Sequence, residues 1–281
     1  MTAHSLPHDT GLVVVRSGGD LGTGVIQKFW RAGFRVLVLE KAQPLTIRRT
    51  VALAEAVTLG EWQVEDMLAR RIEDPEQARH QWVLGAIPVL VDADAQCLPD
   101  IRPVVVVDAI LAKRNMGTHP AMAPITIALG PGYHAPTDVD AVVETMRGHD
   151  LGRVLYSGHA AANTGIPGEV GGKTHERVLY APTDGTMYHA RHIGEVVAAG
   201  ETIFHVADIP VKSTIQGIVR GIALSGITVQ KGMKCADIDP RPVSTVNCAG
   251  ISDKARCVGG GALEACLAVA HTKGIALRSG R

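Results

Sequence analysis

The residues best suited to chemistry are glycines beside a helix start, a few clustered cations and one cysteine. In VVVRSGGDLGTGV (13–25), a β-branched run breaks into Gly18, Gly19, Asp20, Leu21, Gly22 and Thr23, and a helical pattern follows. Glycines there let backbone amides approach a phosphate, and a helix N-terminus adds partial positive charge. Glu40 falls about twenty residues on, where an acid can bond a ribose hydroxyl. The full G-x-G-x-x-G pattern would begin at Ser17, and Asp20 sets a negative charge in the loop unless it serves the helix end. Two readings stay open: a nucleotide phosphate held on this loop, or a loop that only turns a corner. A second anion-accepting place is expected in the tail. There Ser252, Asp253 and Lys254 precede Gly259, Gly260 and Gly261, read as a turn opening a helix from 262. Arg48 and Arg49 could add charge. Cys248 is either a small core residue or a chemical thiol. On the second reading, Lys254 and Arg256 nearby in sequence lower its pKa and favour the thiolate.

The elements that must position these residues alternate strand and helix. LVVVR reads as a buried strand, VIQKFWRAGF as a helix closed by Gly33, and RVLVLE as a second strand ending in Glu40. That order is a dinucleotide-binding βαβ unit, hence a Rossmann-like parallel sheet. IPVLVD, RPVVVVDAIL (ending its apolar run at Asp108), PITIALGPG and RVLYSG extend the sheet. EDMLARRIEDPEQARHQW and VDAVVETMRGH (139–149) read as helices. Strand ends rich in Gly, Asp and Arg belong on the carboxyl edge of such a sheet, where ligands bind.

From Tyr180 the texture changes. Residues 181–206 align with 213–238 at a constant offset of 32, matching Gly185 with Gly217, Gly194 with Gly226, Val197 with Val229 and Gly200 with Gly232. Two halves of short, glycine-turned strands resemble the barrel-sandwich hybrid of biotinyl and lipoyl domains. The join HVADIPVKSTIQG holds only Lys212 and no Met-Lys-Met, so a version without a covalent carrier group is expected. The resulting organisation is an α/β domain over 1–179, a β module over 180–240, and a glycine-rich turn and helix over 241–281 that pack back on the α/β domain.

Composition narrows the function. Lys plus Arg and Asp plus Glu each number 28, so no net field draws nucleic acid or an anionic membrane. Three Trp, four Tyr and three Phe are too few for a base-stacking platform. No apolar run reaches the ~18 residues of a membrane helix, and MTAHSLPHDT has no signal-peptide core, so a cytoplasmic protein is expected. Five scattered cysteines form no CxxC pair, and His189 with His192 is outside any HExxH frame, so no metal site is expected.

GGDLGTGV, TIRRTVALAEAV, IPVLVD, VVVDAILAKRN, IALGPGY, DVDAVVETMRGHDLGRVLYSG, NTGIPGEVGG, ERVLYAP, ADIDPR and ISDKARCVGGGALEA resemble, in order, the blocks of the selenium-dependent molybdenum hydroxylase accessory proteins. The resemblance covers nearly all of the chain after residue 11. Two departures are Ser17, where the family loop usually begins with glycine, and Cys257, where alanine is usual. The resemblance implies a maturation factor. Its cofactor is a molybdopterin-type compound or its dinucleotide, and its partner an apo-molybdenum hydroxylase. It also implies that Cys248 handles sulfur or selenium. NAD(P) bound by an oxidoreductase, and a non-catalytic interaction scaffold, are the competing readings; a homo-oligomer is compatible with each.

Overall fold

The computed structural model describes residues 8–278. Two compact units emerge. The first comprises the chain up to Pro44, Leu53–Asn163 and the residues from Ile251; the second comprises Leu45–Ala52 and Thr164–Gly250. The second unit thus begins earlier than residue 180, borrows a segment from the loop after the second strand, and keeps residues 241–250.

The first unit is a nine-stranded mixed sheet with helices. Its strands are β1 (Asp9–Arg16), β2 (Arg35–Glu40), β3 (Glu61–Val64), β4 (Met67–Ile72), β5 (Ile87–Val91), β6 (Pro103–Asp108), β7 (Ile125–Leu129), β8 (Ala141–Val143) and β9 (Val154–Leu155). Its helices are α1 (Asp20–Arg31), α2 (Ala56–Leu59), α3 (Ala78–Val83), α4 (Leu98–Ile101) and α5 (Asp253–Lys273). Spatial order is β3-β4-β5-β2-β1-β6-β7-β8-β9. The strands from β4 to β8 run parallel; β3 and β9 close the edges antiparallel. The central strands are buried on both faces, as Val13–Val15, Val36–Leu39 and Val104–Val107 show. The chain builds outward from β1 through β2 to β5, then returns to β6 on the other side. A crevice-forming switch point therefore lies between β1 and β6, at Arg16 and Asp108, which are register partners.

Three sequence expectations are corrected here. Residues 67–72 form β4 rather than a helix, because in MLARRI the buried residues Met67, Ala69 and Ile72 suit a sheet surface and outweigh the charged composition. Residues 139–149 are not helical: AVV is a buried strand, and the Glu144 carboxylate ends it by accepting from the Thr145 and Met146 amides at 2.7 Å each. The triple glycine is not a turn. α5 runs through it from an N-cap at Ser252. Gly259 and Gly261 are there for close packing: a Cβ on Gly259 would lie 2.4 Å from the Gly24 carbonyl oxygen, and one on Gly261 would lie 2.2 Å from that of Gly152.

The second unit carries two four-stranded antiparallel sheets. Its strands are β10 (Val178–Tyr180), β11 (Gly185–His189), β12 (Val196–Val197), β13 (Thr202–Val206), β14 (Ile209–Lys212), β15 (Gly217–Ile222), β16 (Thr228–Val229) and β17 (Lys234–Asp239). The sheets are β10-β17-β15-β12 and β14-β13-β11-β16. The 32-residue offset maps the starts of β11, β12 and β13 onto those of β15, β16 and β17, and it maps β10 onto β14. Each sheet therefore takes strands from both halves. Gly194, Gly226, Gly200 and Gly232 hold φ of 96°, 85°, 89° and 81°, which explains why glycine repeats at these turns. Met187, Val197, Phe204, Val219, Val229 and Ile238 form the shared core. The tip between β13 and β14 is Ala207–Asp208, while Lys212 pairs with Thr202 inside the hairpin.

Among the described residues, no helix is long and apolar enough to cross a membrane, and no group of three or more His, Cys, Asp or Glu is placed to hold a metal ion.

Candidate functional site

The glycine loop leaves β1 at the carboxyl edge of the sheet. Ser17 holds φ of 83°, a left-handed conformation that favours glycine and that this chain fills with serine. What stabilises it is Glu40. One oxygen of this buried carboxylate accepts from Ser17 Oγ (3.0 Å) and the Gly18 amide (3.1 Å), and the other from the Lys41 amide (2.9 Å). Thr23 is a second brace: fully buried, it donates to the Gly18 carbonyl (2.9 Å) and accepts from the Leu53 amide (3.0 Å). Glu40 and Thr23 thus shape the loop from within. Gly18 and Gly22 also serve packing, since added Cβ atoms would come 2.9 Å from the Ala54 nitrogen and 2.2 Å from the Ser17 oxygen. Gly19 is the N-cap of α1 and provides no side-chain cap; Asp20 sits in the first turn, where an acid suits the helix dipole. Leu21 follows, half-buried.

α5 brings a second helix start to the same edge. Gly24 lies against both Ala255 and Gly259, and Lys28 against Gly259, so α1 and α5 run the same way with their backbones in contact. Ser252 Oγ accepts from the Ala255 amide (3.1 Å). Asp253 forms a two-pronged ion pair with Arg147 at 3.0 and 3.3 Å. Lys254 sits between Asp20 and Glu144 electrostatically, and it makes no hydrogen bond or ion pair among the described residues. Burial, then the Arg147 charge, lower its pKa; Asp20, Glu144 and Asp253 pull the other way. Glu144, itself buried, also accepts from the Ala161 amide (2.7 Å). The sum is a half-buried ammonium beside two helix N-termini.

Lys254 therefore costs stability while charged. A lysine with a depressed folded pKa binds fewer protons folded than unfolded as pH approaches its ordinary value of 10.5, so this contribution to stability rises with pH across that window. Lys254→Met should leave Tm unchanged or raise it by ~1–3 °C at neutral pH. A larger drop in a thermal melt would mark Lys254 as a structural ion instead.

Cys248, Arg48 and Arg49 belong to the second unit. Arg48 is buried and donates to the Gly250 carbonyl (3.1 Å), while Thr50 Oγ1 donates to the Cys248 carbonyl (2.5 Å). Arg49 opens a short 3-10 turn beside them. The lowered Cys248 pKa expected from Lys254 and Arg256 is not found. Burial pushes the Cys248 pKa up and outweighs the Arg48 and Arg220 charges, and Arg256 is engaged by Glu65 (2.5 Å) and Gln27 (2.7 Å). Cys97 and Cys266 are pushed up to about 12 and Cys235 to about 11, all by burial first. Alkylation followed by mass spectrometry at pH 7.5 should label exposed Cys257 first, Cys248 next and the other three last. Cys248 reacting fastest would restore the thiolate reading.

Sequence reasoning missed Arg16, Thr118, Tyr133, Glu144 and Arg147. Arg16, the last residue of a strand buried on both faces, was the available signal: a cation there needs an acid, and Asp108 supplies it at 3.5 Å.

No protein-family model matches the chain. A protein of Escherichia coli (strain K12) named "Uncharacterized protein YqeB" is 45% identical over 271 residues, covering 96% of this chain and 50% of that protein. The chain thus spans about half the length of this curated relative. Among solved structures, an aspartoacylase family protein from Mesorhizobium loti is 13% identical over 82% of this chain and 85% of that one, with a TM-score of 0.27. A succinylglutamate desuccinylase/aspartoacylase from Rhodobacter sphaeroides is 24% identical over 24% of this chain and 22% of that one, with a TM-score of 0.22. TM-scores this low carry no inference about the fold or chemistry of the chain.

Proposed function

We propose that this chain is an accessory factor in the maturation of selenium-dependent molybdenum hydroxylases, and that its first unit holds a phosphate-bearing, molybdopterin-type cofactor or its dinucleotide. The observation that carries the reading is the pairing of the α1 and α5 N-termini with Lys254 at the carboxyl edge. Helix N-termini and an ammonium favour an anion, and Lys254, attracted by Asp20, Glu144 and Asp253 but in no hydrogen bond among the described residues, has its donors available. The finer fold assignment goes with it. The order β5-β2-β1-β6-β7-β8 reproduces the 3-2-1-4-5-6 winding of a Rossmann sheet, and the interlocked halves of the second unit support a barrel-sandwich hybrid without a carrier lysine at its tip.

The residues fit a phosphate and fit NAD less well. In a dinucleotide enzyme the acid after β2 reads the ribose, but here both Glu40 oxygens are occupied by Ser17, Gly18 and Lys41. The pterin would supply the metal-binding dithiolene. The chain's own part is to hold the phosphate on the amides of Asp20 and Leu21 at the start of α1 and on Lys254. Two further proposals accompany this one: an apo-hydroxylase as the recipient, and Cys248 as the group that handles sulfur or selenium.

Mass spectrometry of small molecules released from the purified protein is the direct test, with molybdopterin or its cytidine dinucleotide expected. Recovery of NAD(P) would sink the reading in favour of an oxidoreductase. In calorimetry, Lys254→Met should weaken inorganic phosphate binding ~10-fold or more, the loss of one charge-assisted contact. Unchanged affinity would remove Lys254 from the site.

A further inference from the structure

Residues 109–118 rise from the end of β6 beside the first turn of α1; Ala109 lies 3.3 Å from where a Cβ on Gly22 would be. Leu111 and Lys113 hold φ of 58° and 62°, strained for residues that are not glycine. Gly132, at φ 111°, lets the backbone pass so close to Arg114 that a Cβ would sit 2.6 Å from its nitrogen. The Asn115 side chain closes the tip, accepting from the Gly117 (2.9 Å) and Thr118 (2.8 Å) amides and donating to the Thr118 carbonyl (2.8 Å).

The base of this loop is charged and buried. Arg16 is 3% exposed and Asp108 is 0%. Arg16 donates to Thr118 Oγ1, to Asp108 (3.5 Å) and to the carbonyls of Ala93 (2.9 Å) and Met116 (3.3 Å), while Thr118 donates to Asp108 (2.5 Å). Such a buried pair gives little net stability compared with apolar residues of equal volume. Stability therefore does not account for a buried ion pair and two strained residues beneath an exposed loop. What they fix is the position of Lys113 and Arg114, both exposed and neither in a hydrogen bond or ion pair among the described residues. Two buried donors, Arg16 Nε and Tyr133 Oη, have no acceptor.

We propose that Lys113 and Arg114 form a second anion arm, at the same carboxyl edge as Lys254, which selects a diphosphate-bearing ligand over a monophosphate. The inference rests on the phosphate reading of the carboxyl edge given above. One arm holds the first phosphate on the helix N-termini and Lys254. The other neutralises the second phosphate with cations carried on a braced loop backbone, so little loop ordering is left for binding.

Calorimetry on the full chain with inorganic pyrophosphate and orthophosphate, at matched ionic strength, tests it. Pyrophosphate should bind ~10-fold or more tightly than orthophosphate. Lys113→Gln with Arg114→Gln should remove that preference while keeping orthophosphate affinity within about twofold and Tm within ~2 °C. Equal binding of the two probes by the natural chain, or a preference that survives in the double variant, overturns the second arm and leaves the first intact. Binding of neither probe overturns both.

Discussion

Alanine at three consecutive glycines of α5 should give effects of opposite sign. Gly259→Ala and Gly261→Ala are each expected to cost ~3 kcal/mol or more, because the new Cβ would meet backbone oxygens at 2.4 and 2.2 Å. Neither contact is the far end of a movable side chain, so relief requires α5 to shift off α1 or off the Gly152 turn. Gly260→Ala meets nothing within 4 Å and should stabilise by ~0.5–1 kcal/mol, the usual gain of alanine over glycine in a helix. Urea denaturation of the three variants measures this. Three similar values would mean that the glycines form a turn and that the packing of α5 on α1 is wrong.

Asp108→Ala carries the second large effect. It would leave the Arg16 guanidinium buried without its carboxylate, and a loss of ~3–5 kcal/mol is expected. Arg16→Met in the same chain should recover most of it, because the double variant leaves no uncompensated charge. Chemical denaturation of both single variants and the double gives the coupling. If the double variant is as unstable as the sum of the singles, the pair is not a unit and the base of the 109–118 loop is held otherwise.

The parallel sheet was legible because its strands are buried on both faces and so appear as unbroken runs, such as LVVV in β1 and VVVV in β6. β4 was obscured by the opposite situation. Glu65, Arg70, Arg71 and Glu73 give the segment a helical charge composition, and only the two-residue spacing of Met67 and Ala69 hints at the strand, which Ile72 leaves out of phase. The glycine loop joins β1 to α1, and the roles within it depend on long-range partners. Glu40 looks like a ribose acid until its oxygens are seen on Ser17 and Gly18. The triple glycine misled because a glycine that admits another helix and a glycine that turns the chain are identical in sequence. In the second unit the repeat was readable from its turn glycines, but the offset extends further, to β10 and β14, where no identities mark it.

The placement of α5 has a consequence for biosynthesis. It packs on α1 and against β7 and β8, yet it is separated in sequence from the rest of its unit by Thr164–Gly250 of the second unit. On the ribosome, β1 to β9 emerge first, with the glycine face of α1 uncovered. At ~5–20 residues per second, the roughly hundred residues before α5 delay its arrival by about 5–20 s. During that interval the nascent sheet exposes the surface of β7 and β8 that α5 covers. Ribosome-bound chains stalled just before residue 251 should therefore recruit chaperones and be cut readily by protease, and chains stalled well beyond residue 273 should not.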